Sequence, residues 1–315
     1  MKLQQLRYAL EVYRHNLNVS DAAEALFTSQ PGVSKQIRLL EEELGIQIFI
    51  RSGKRIVSVS QPGKAVLEMS ERILHDIQNI KNIGKEFTGQ DNGLLTIATT
   101  HTQARYALPD VIARFVQQYP KVRLRIRQGN PEEIAQMVAD GEADFAIATE
   151  TVNLESDLRS IRCASWNHGV VVPENHPLLA LDDLSLNDIA QYPLITYEFA
   201  FNSGSSIARA FHRAGISEPN IALSAADTGI LKTYVKLGLG IGLIAQMAFD
   251  EGYDDGLRLI DTSHLFDPSH TSILLRADTY LRGYIYDFIK LFNPELDKER
   301  IDRLLYEPFV EDYSI

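Results

Sequence analysis

The sequence predicts an α/β protein with an N-terminal all-α winged helix-turn-helix, a long linker helix and an α/β domain in two sets of elements. Three observations carry this. Residues 18–44 hold two helix starts separated by a tight turn. Apolar residues from Val66 to Ile83 step by threes and fours. From Leu94 onward, strand-like and helix-like patterns alternate. The expected divisions are 1–59 for the helix-turn-helix, 60–89 for the linker helix and 90–315 for the α/β domain.

Leu3, Leu6, Leu10 and Tyr13 recur at helical spacing and give a first helix, suited to pack beneath the motif. Asn18 reads as the N-cap of a second helix, with Asp21 complementing its start and Ala22, Ala23 and Leu26 forming a small apolar face. Ser29 caps a third, with Pro31 in the first turn, where a missing N–H costs nothing. Val33, Ile37, Leu40 and Leu44 form its apolar stripe, and Gly45 sits where a left-handed terminator belongs. The alanines let the two helices approach closely.

The other face of the third helix points to chemistry. Gln30, Ser34, Lys35 and Arg38 lie near its N-terminus, where such side chains meet phosphates or base edges in a major groove. A solvated polar face is the plainer alternative, but caps, alanine pair, proline and basic outer face coincide. Next, Ile46–Phe49 and Ile56–Val59 read as two strands around Arg51-Ser52-Gly53-Lys54-Arg55, a hairpin wing with a basic tip. Arg51 and Lys54 there suit a phosphate or minor-groove contact as well as they suit a solvated turn.

Ser60 caps the long helix, which starts near Pro62 and ends by Gly89. Val66, Met69, Ile73, Ile77, Ile80 and Ile83 approach a coiled-coil seam. Such a stripe needs cover, from its own domain or from a second copy. In the remainder, strands are expected at 94–99, 122–128, 145–149, 169–172, 194–197, 221–224, 241–244 and 272–276. Helices are expected at 104–119, 132–140, 205–214, 228–237 and 281–292. The pattern implies a largely parallel sheet. Thr99, Thr100, Thr102 and Gln103 fall beyond the first strand's carboxyl end, where open α/β sheets bind ligands. With Thr149 at another strand end and Asn202, Ser203, Ser205 and Ser206 opening a helix, they offer neutral donors for a small anion such as sulfate or a carboxylate.

Charge and composition narrow the class. The 315 residues carry net charge −11, with eight basic against six acidic groups in residues 1–60, hence +2 there and −13 in the rest. Phosphate affinity depends on local basic groups, so DNA is compatible with this balance and a general nucleic-acid coat is not. The lone cysteine, Cys163, excludes an internal disulfide. No apolar run approaches the roughly 20 residues of a membrane span, and the polar, amphipathic start lacks a signal-peptide core, so a cytoplasmic location away from membranes is expected.

Thr28-Ser29-Gln30-Pro31, Ser34-Lys35-Gln36-Ile37 and Leu40-Glu41 resemble the N-terminal signature of LysR-type transcriptional regulators. Met1–Tyr8 and Ile97-Ala98-Thr99-Thr100-His101-Thr102-Gln103-Ala104-Arg105-Tyr106-Ala107-Leu108-Pro109 are similar to the members that govern sulfur assimilation and cysteine biosynthesis. The resemblance implies an effector domain like a periplasmic binding protein, with lobe I at about 90–162 and 266–295 and lobe II at about 163–265. It implies promoter-DNA contacts from Thr28, Ser29, Gln30, Pro31, Ser34, Lys35, Arg38, Arg51 and Lys54. It also implies effector contacts from Thr100, Thr102, Gln103, Thr149 and Trp166, with Asn202 where the family has threonine. N-acetylserine would be the inducer, with sulfate or thiosulfate competing. The partners would be double-stranded promoter DNA, a second copy through the linker helix, a tetramer of such copies, and RNA polymerase at activated promoters.

Enzymatic readings fare worse. Ser205-Ser206 lacks a Gly-x-Ser-x-Gly elbow, and Gly238-Leu239-Gly240-Ile241-Gly242 precedes its strand and misses the dinucleotide pattern. His101, His168, His264 and His270 show no metal spacing. No catalytic residue, metal or cofactor is expected. A two-lobed solute-binding protein would satisfy 94–292 but leaves residues 18–44 unexplained. A LysR-type regulator of another pathway, sensing a different small carboxylate, is the nearer alternative.

Overall fold

In a computed structural model the chain forms two units, Met1–Thr88 and Gly89–Ile315. The structure describes residues 1–53, 55–87, 92–149, 157–202, 204–277 and 279–306. Helices α1 (Leu3–Arg14), α2 (Val19–Ala25) and α3 (Gln30–Leu44) precede strands β1 (Phe49–Ser52) and β2 (Arg55–Val59) and the long α4 (Gln61–Phe87). The expected caps are in place. Asn18 Oδ1 accepts from the Ser20 and Asp21 amides, Ser29 Oγ accepts from Gly32 N at 3.3 Å, and Gly45 ends α3 at φ +67°. Ala9, Val12, Ala22, Val33, Ile37 and Leu40 are fully or almost fully buried in one core.

The wing starts later than its sequence suggests. Ile46–Ile48 is not a strand, and the ladder begins at Phe49 opposite Val59. The reason is Glu41, whose Oε1 accepts from the amides of Ile48 (2.9 Å) and Phe49 (3.0 Å) and pins this segment beneath α3. Ser60 Oγ caps α4 by accepting from Gly63 N at 2.9 Å. Gly63 is required by contact: a Cβ there would lie 2.1 Å from the Ile48 carbonyl oxygen. Gly63→Ala should therefore cost the unit about 1–3 kcal/mol through forced backbone movement. An unchanged thermal midpoint in the variant would contradict this. Along α4 the apolar stripe divides. Val66 and Ile73 pack on the core, whereas Met69, Ile80 and Ile83 are exposed, Ile80 at 67%.

The second unit holds two five-stranded sheets. Lobe I contains β3 (Gly93–Thr99), β4 (Val122–Gln128), β5 (Phe145–Ala148), β6 (Leu158–Trp166) and β12 (Ser269–Arg276), in the order β4-β3-β5-β12-β6. Lobe II contains β7 (His168–Pro173), β8 (Leu194–Thr196), β9 (Ile221–Ser224), β10 (Ile241–Ala245) and β11 (Leu257–Asp261), in the order β11-β7-β10-β8-β9. Both sheets are mixed rather than largely parallel: β12 runs antiparallel to β5 and β6, and β7 antiparallel to β10 and β11. A chain that leaves lobe I by β6 and returns by β12 must reverse direction beside itself. β6 continues to Trp166, so lobe I extends past the expected boundary at 162.

Helices α5 (Pro109–Gln118), α6 (Pro131–Ala139), α7 (Leu186–Ala190), α8 (Ser206–Arg213), α9 (Thr228–Lys236), α10 (Gly283–Phe292) and α11 (Lys298–Tyr306) cover the sheets. The single helix expected over 104–119 is broken. Residues Gln103–Ala107 form a π turn, with Leu108 N donating to Gln103 O at 3.1 Å, and α5 restarts at Pro109, which has no N–H to continue the ladder. α11 was not read from the sequence; it buries Ile301 and Leu305 against the lobe I core. No helix among the described residues is long and apolar enough to cross a membrane.

Candidate DNA-binding face and effector cleft

α3 presents Gln30, Lys35 and Arg38 to solvent and Ser34 half-exposed, on the side away from buried Val33, Ile37 and Leu40. Thr28, Ser29 and Pro31 are exposed at its start. Ser34 Oγ accepts from Gln30 Nε2 at 3.5 Å, and Arg38, 71% exposed, lies 3.4 Å from Glu42. Such an exposed pair contributes little to stability, so Arg38 is available to a phosphate or a guanine. Arg51 stands apart. It is exposed on β1, with its guanidinium 3.6 Å from Glu41 Oε2. Lys54 lies outside the described residues.

In the second unit, five of the six expected effector residues lie at or just past the ends of β3, β5 and β6 in the lobe I sheet. Thr99 itself is structural, its Oγ1 donating to Ile147 O. Thr100 is 4% exposed, and its Oγ1 has no hydrogen-bond partner. Thr102 Oγ1 lies 3.3 Å from Thr228 Oγ1 and 3.5 Å from the Tyr197 hydroxyl, which is 3.0 Å from Thr228 and accepts from Ala245 N. Gln103, 1% exposed, donates from Nε2 to Thr271 Oγ1 at 3.3 Å and reaches Met247 Sδ at 3.8 Å. Thr149 is buried just past β5. Trp166 packs edge-on against His168, ring centroids 4.8 Å apart, and its buried Nε1 has no partner. Asn202 is the exception: it is exposed in the turn before α8, held by backbone bonds to Phe199 and Ser205.

Sequence reasoning missed Tyr197 and Thr228. Both lie beyond strand carboxyl ends, after β8 and β9, so the rule that singled out Thr100 applied to them equally. It also missed Ser269, which opens β12 beside Trp166 and whose hydroxyl lies 3.1 Å from that of Ser206, the expected donor that opens α8. Burial pushes the His168 imidazole down to about 4, leaving it neutral, and the remaining named groups are hydroxyls, an amide and an indole. Among the described residues no group of three His, Cys, Asp or Glu side chains is arranged to hold a metal. The arrangement suits recognition of a small polar or anionic molecule by neutral donors, and offers no nucleophile paired with a base.

Residues 3–64 match the model of the bacterial regulatory helix-turn-helix protein, lysR family, and residues 88–297 match that of the LysR substrate binding domain. This chain belongs to the LysR family. It is accordingly a DNA-binding transcriptional regulator with an effector domain, not an enzyme. The LysR-family chain is 49% identical to the regulator SsuR of Burkholderia cenocepacia over 98% of its length and 99% of that protein's. It is 48% identical to CysB of the same organism, covering 97% of each. It is 44% identical to Cbl of Escherichia coli over the full length of both. The crystal structure of the cofactor-binding domain of Cbl superposes with a TM-score of 0.65 at 42% identity, covering 70% of this chain and 96% of that one.

Proposed function

We propose that this regulator controls genes of sulfur assimilation and cysteine biosynthesis by sensing N-acetylserine in the cleft of its effector domain, with sulfate and thiosulfate as competing anions. Its similarity to proteins named CysB supports the pathway. The observation that carries the sensing is that two buried donors, Thr100 Oγ1 and Trp166 Nε1, have no partners in the protein. A buried donor left unpaired costs about 1–3 kcal/mol, which a ligand carboxylate or sulfonyl oxygen recovers. Neutral donors near helix starts are a sufficient host for a monoanion.

In this reading α3 enters a promoter's major groove, and the exposed part of the α4 stripe pairs with a second copy, the dimers joining as a tetramer. Effector binding biases the arrangement of subunits on DNA and so their contact with RNA polymerase at activated promoters in the cytoplasm. Arg38→Ala is expected to weaken promoter binding about tenfold and reduce the salt slope of log K by about one, while leaving effector affinity unchanged. Unchanged promoter affinity by fluorescence anisotropy would count against α3 as the reading helix.

Calorimetric titration of the full-length protein with N-acetylserine, and then with sulfate and thiosulfate, tests the sensing. Saturable binding with competition between the two classes supports it. If none binds, a small carboxylate of another pathway becomes the better reading.

A further inference from the structure

Tyr106 lies on the π turn that Gln103 opens directly after Thr102, and its ring packs against the lobe II core although the residue belongs to lobe I. Its hydroxyl is buried and has no hydrogen-bond partner. Around it, the Arg105 guanidinium is 5.6 Å and the Lys232 ammonium 5.4 Å from the ring centroid. Lys232 is anchored in turn, 2.7 Å from the Asp254 carboxylate and 2.8 Å from Ala248 O. Arg105 reaches Asp227, the N-cap of α9, at 4.0 Å. Gly229 makes room for it, since a Cβ there would sit 3.1 Å from Arg105 Nη1.

A ring contacted by two cations, of which Lys232 is firmly anchored, is restrained in direction. Fixing an apolar ring needs no hydroxyl, and a buried phenol without an acceptor lowers stability compared with phenylalanine. Tyr106 thus sits on an irregular turn, not in a regular helix, while packing against lobe II. Single π turns of this kind are frequent at functional sites.

We infer that Tyr106 is an effector-specificity residue, its hydroxyl donating to the end of the ligand turned toward lobe II while Thr100 holds the other end. The inference rests on the effector cleft proposed above. It makes the cleft selective for a ligand long enough to bridge the lobes with an acceptor at each end, such as an acyl amino acid, over a compact inorganic anion. Tyr106 therefore discriminates between N-acetylserine and sulfate.

The test is Tyr106→Phe in the full-length protein, measured by calorimetry with N-acetylserine and with sulfate, and by thermal unfolding without either. Affinity for N-acetylserine should fall about tenfold, affinity for sulfate should stay within about twofold, and the ligand-free midpoint should hold or rise. A merely structural role for the hydroxyl would lower the midpoint and weaken both ligands together. Unchanged N-acetylserine affinity in Tyr106→Phe, alongside its loss in Thr100→Val, overturns the inference and leaves the cleft standing. Absence of N-acetylserine binding by the wild type overturns both.

Discussion

Glu41→Ala is expected to cost the DNA-binding unit about 2–6 kcal/mol and to abolish specific promoter binding at physiological temperature. One oxygen of this buried carboxylate accepts from two backbone amides, Ile48 and Phe49, and the other faces Arg51. Alanine leaves two buried N–H groups without an acceptor, at about 1–3 kcal/mol each, and frees the first residue of the wing ladder. Domain stabilities are typically about 5–15 kcal/mol, so the loss is a large fraction of the whole. Glu41→Gln keeps one carbonyl acceptor and should recover roughly half of the deficit. Chemical denaturation of both variants with DNA anisotropy checks the argument; a Glu41→Ala variant that unfolds with the wild type would refute it.

Thr100→Val is expected to lower effector affinity by about 1.5–3 kcal/mol, ten- to more than a hundredfold, with promoter binding by the ligand-free protein intact. Valine has nearly the shape of threonine, and the hydroxyl it removes has no partner in the protein. The ligand-free fold therefore loses nothing. Thr102→Val differs, because that hydroxyl meets Thr228 and Tyr197 across the lobes, and its loss should destabilise the domain as well as weaken binding. Calorimetry on Thr100→Val with a gel shift on the same preparation separates the two functions. Loss of DNA binding together with effector binding would show that Thr100 supports the fold.

The helix-turn-helix was legible because its signals are local. The caps at Asn18 and Ser29, Pro31 in the first turn and the left-handed Gly45 each act within four residues of the backbone they satisfy. Glu41 was not. It sits near the C-terminal end of α3, where the helix dipole disfavours a carboxylate, and only the tertiary bonds to Ile48 and Phe49 explain it. β6 escaped for a related reason. Its buried residues Leu158 and Ile161 are three apart, and its pairing with β12 shifts register between Thr271 and Ser272, so the alternation that announces a strand is missing. In the cleft, Thr100, Thr102, Gln103 and Thr149 declared themselves by position beyond strand ends, and Trp166 through family resemblance. Tyr197 and Thr228, separated from Thr102 by 95 and 126 residues, are brought to it by the pairing of lobes, which no local pattern encodes.

The register of β6 against β12 carries one more consequence. Trp166 is the partner of Ser269, so the two ends of lobe II leave lobe I side by side. Topologically, lobe II is an insertion at the tip of a hairpin. While it is unfolded, zipping that hairpin means closing a loop of about a hundred residues; once it has folded, its own termini deliver the two strands already adjacent. The entropy of assembling lobe I is thus borne largely by the folding of lobe II. Adjacent termini also make the inserted lobe separable in principle from the rest of the chain, since a short turn in its place would join Trp166 to Ser269 without moving either strand.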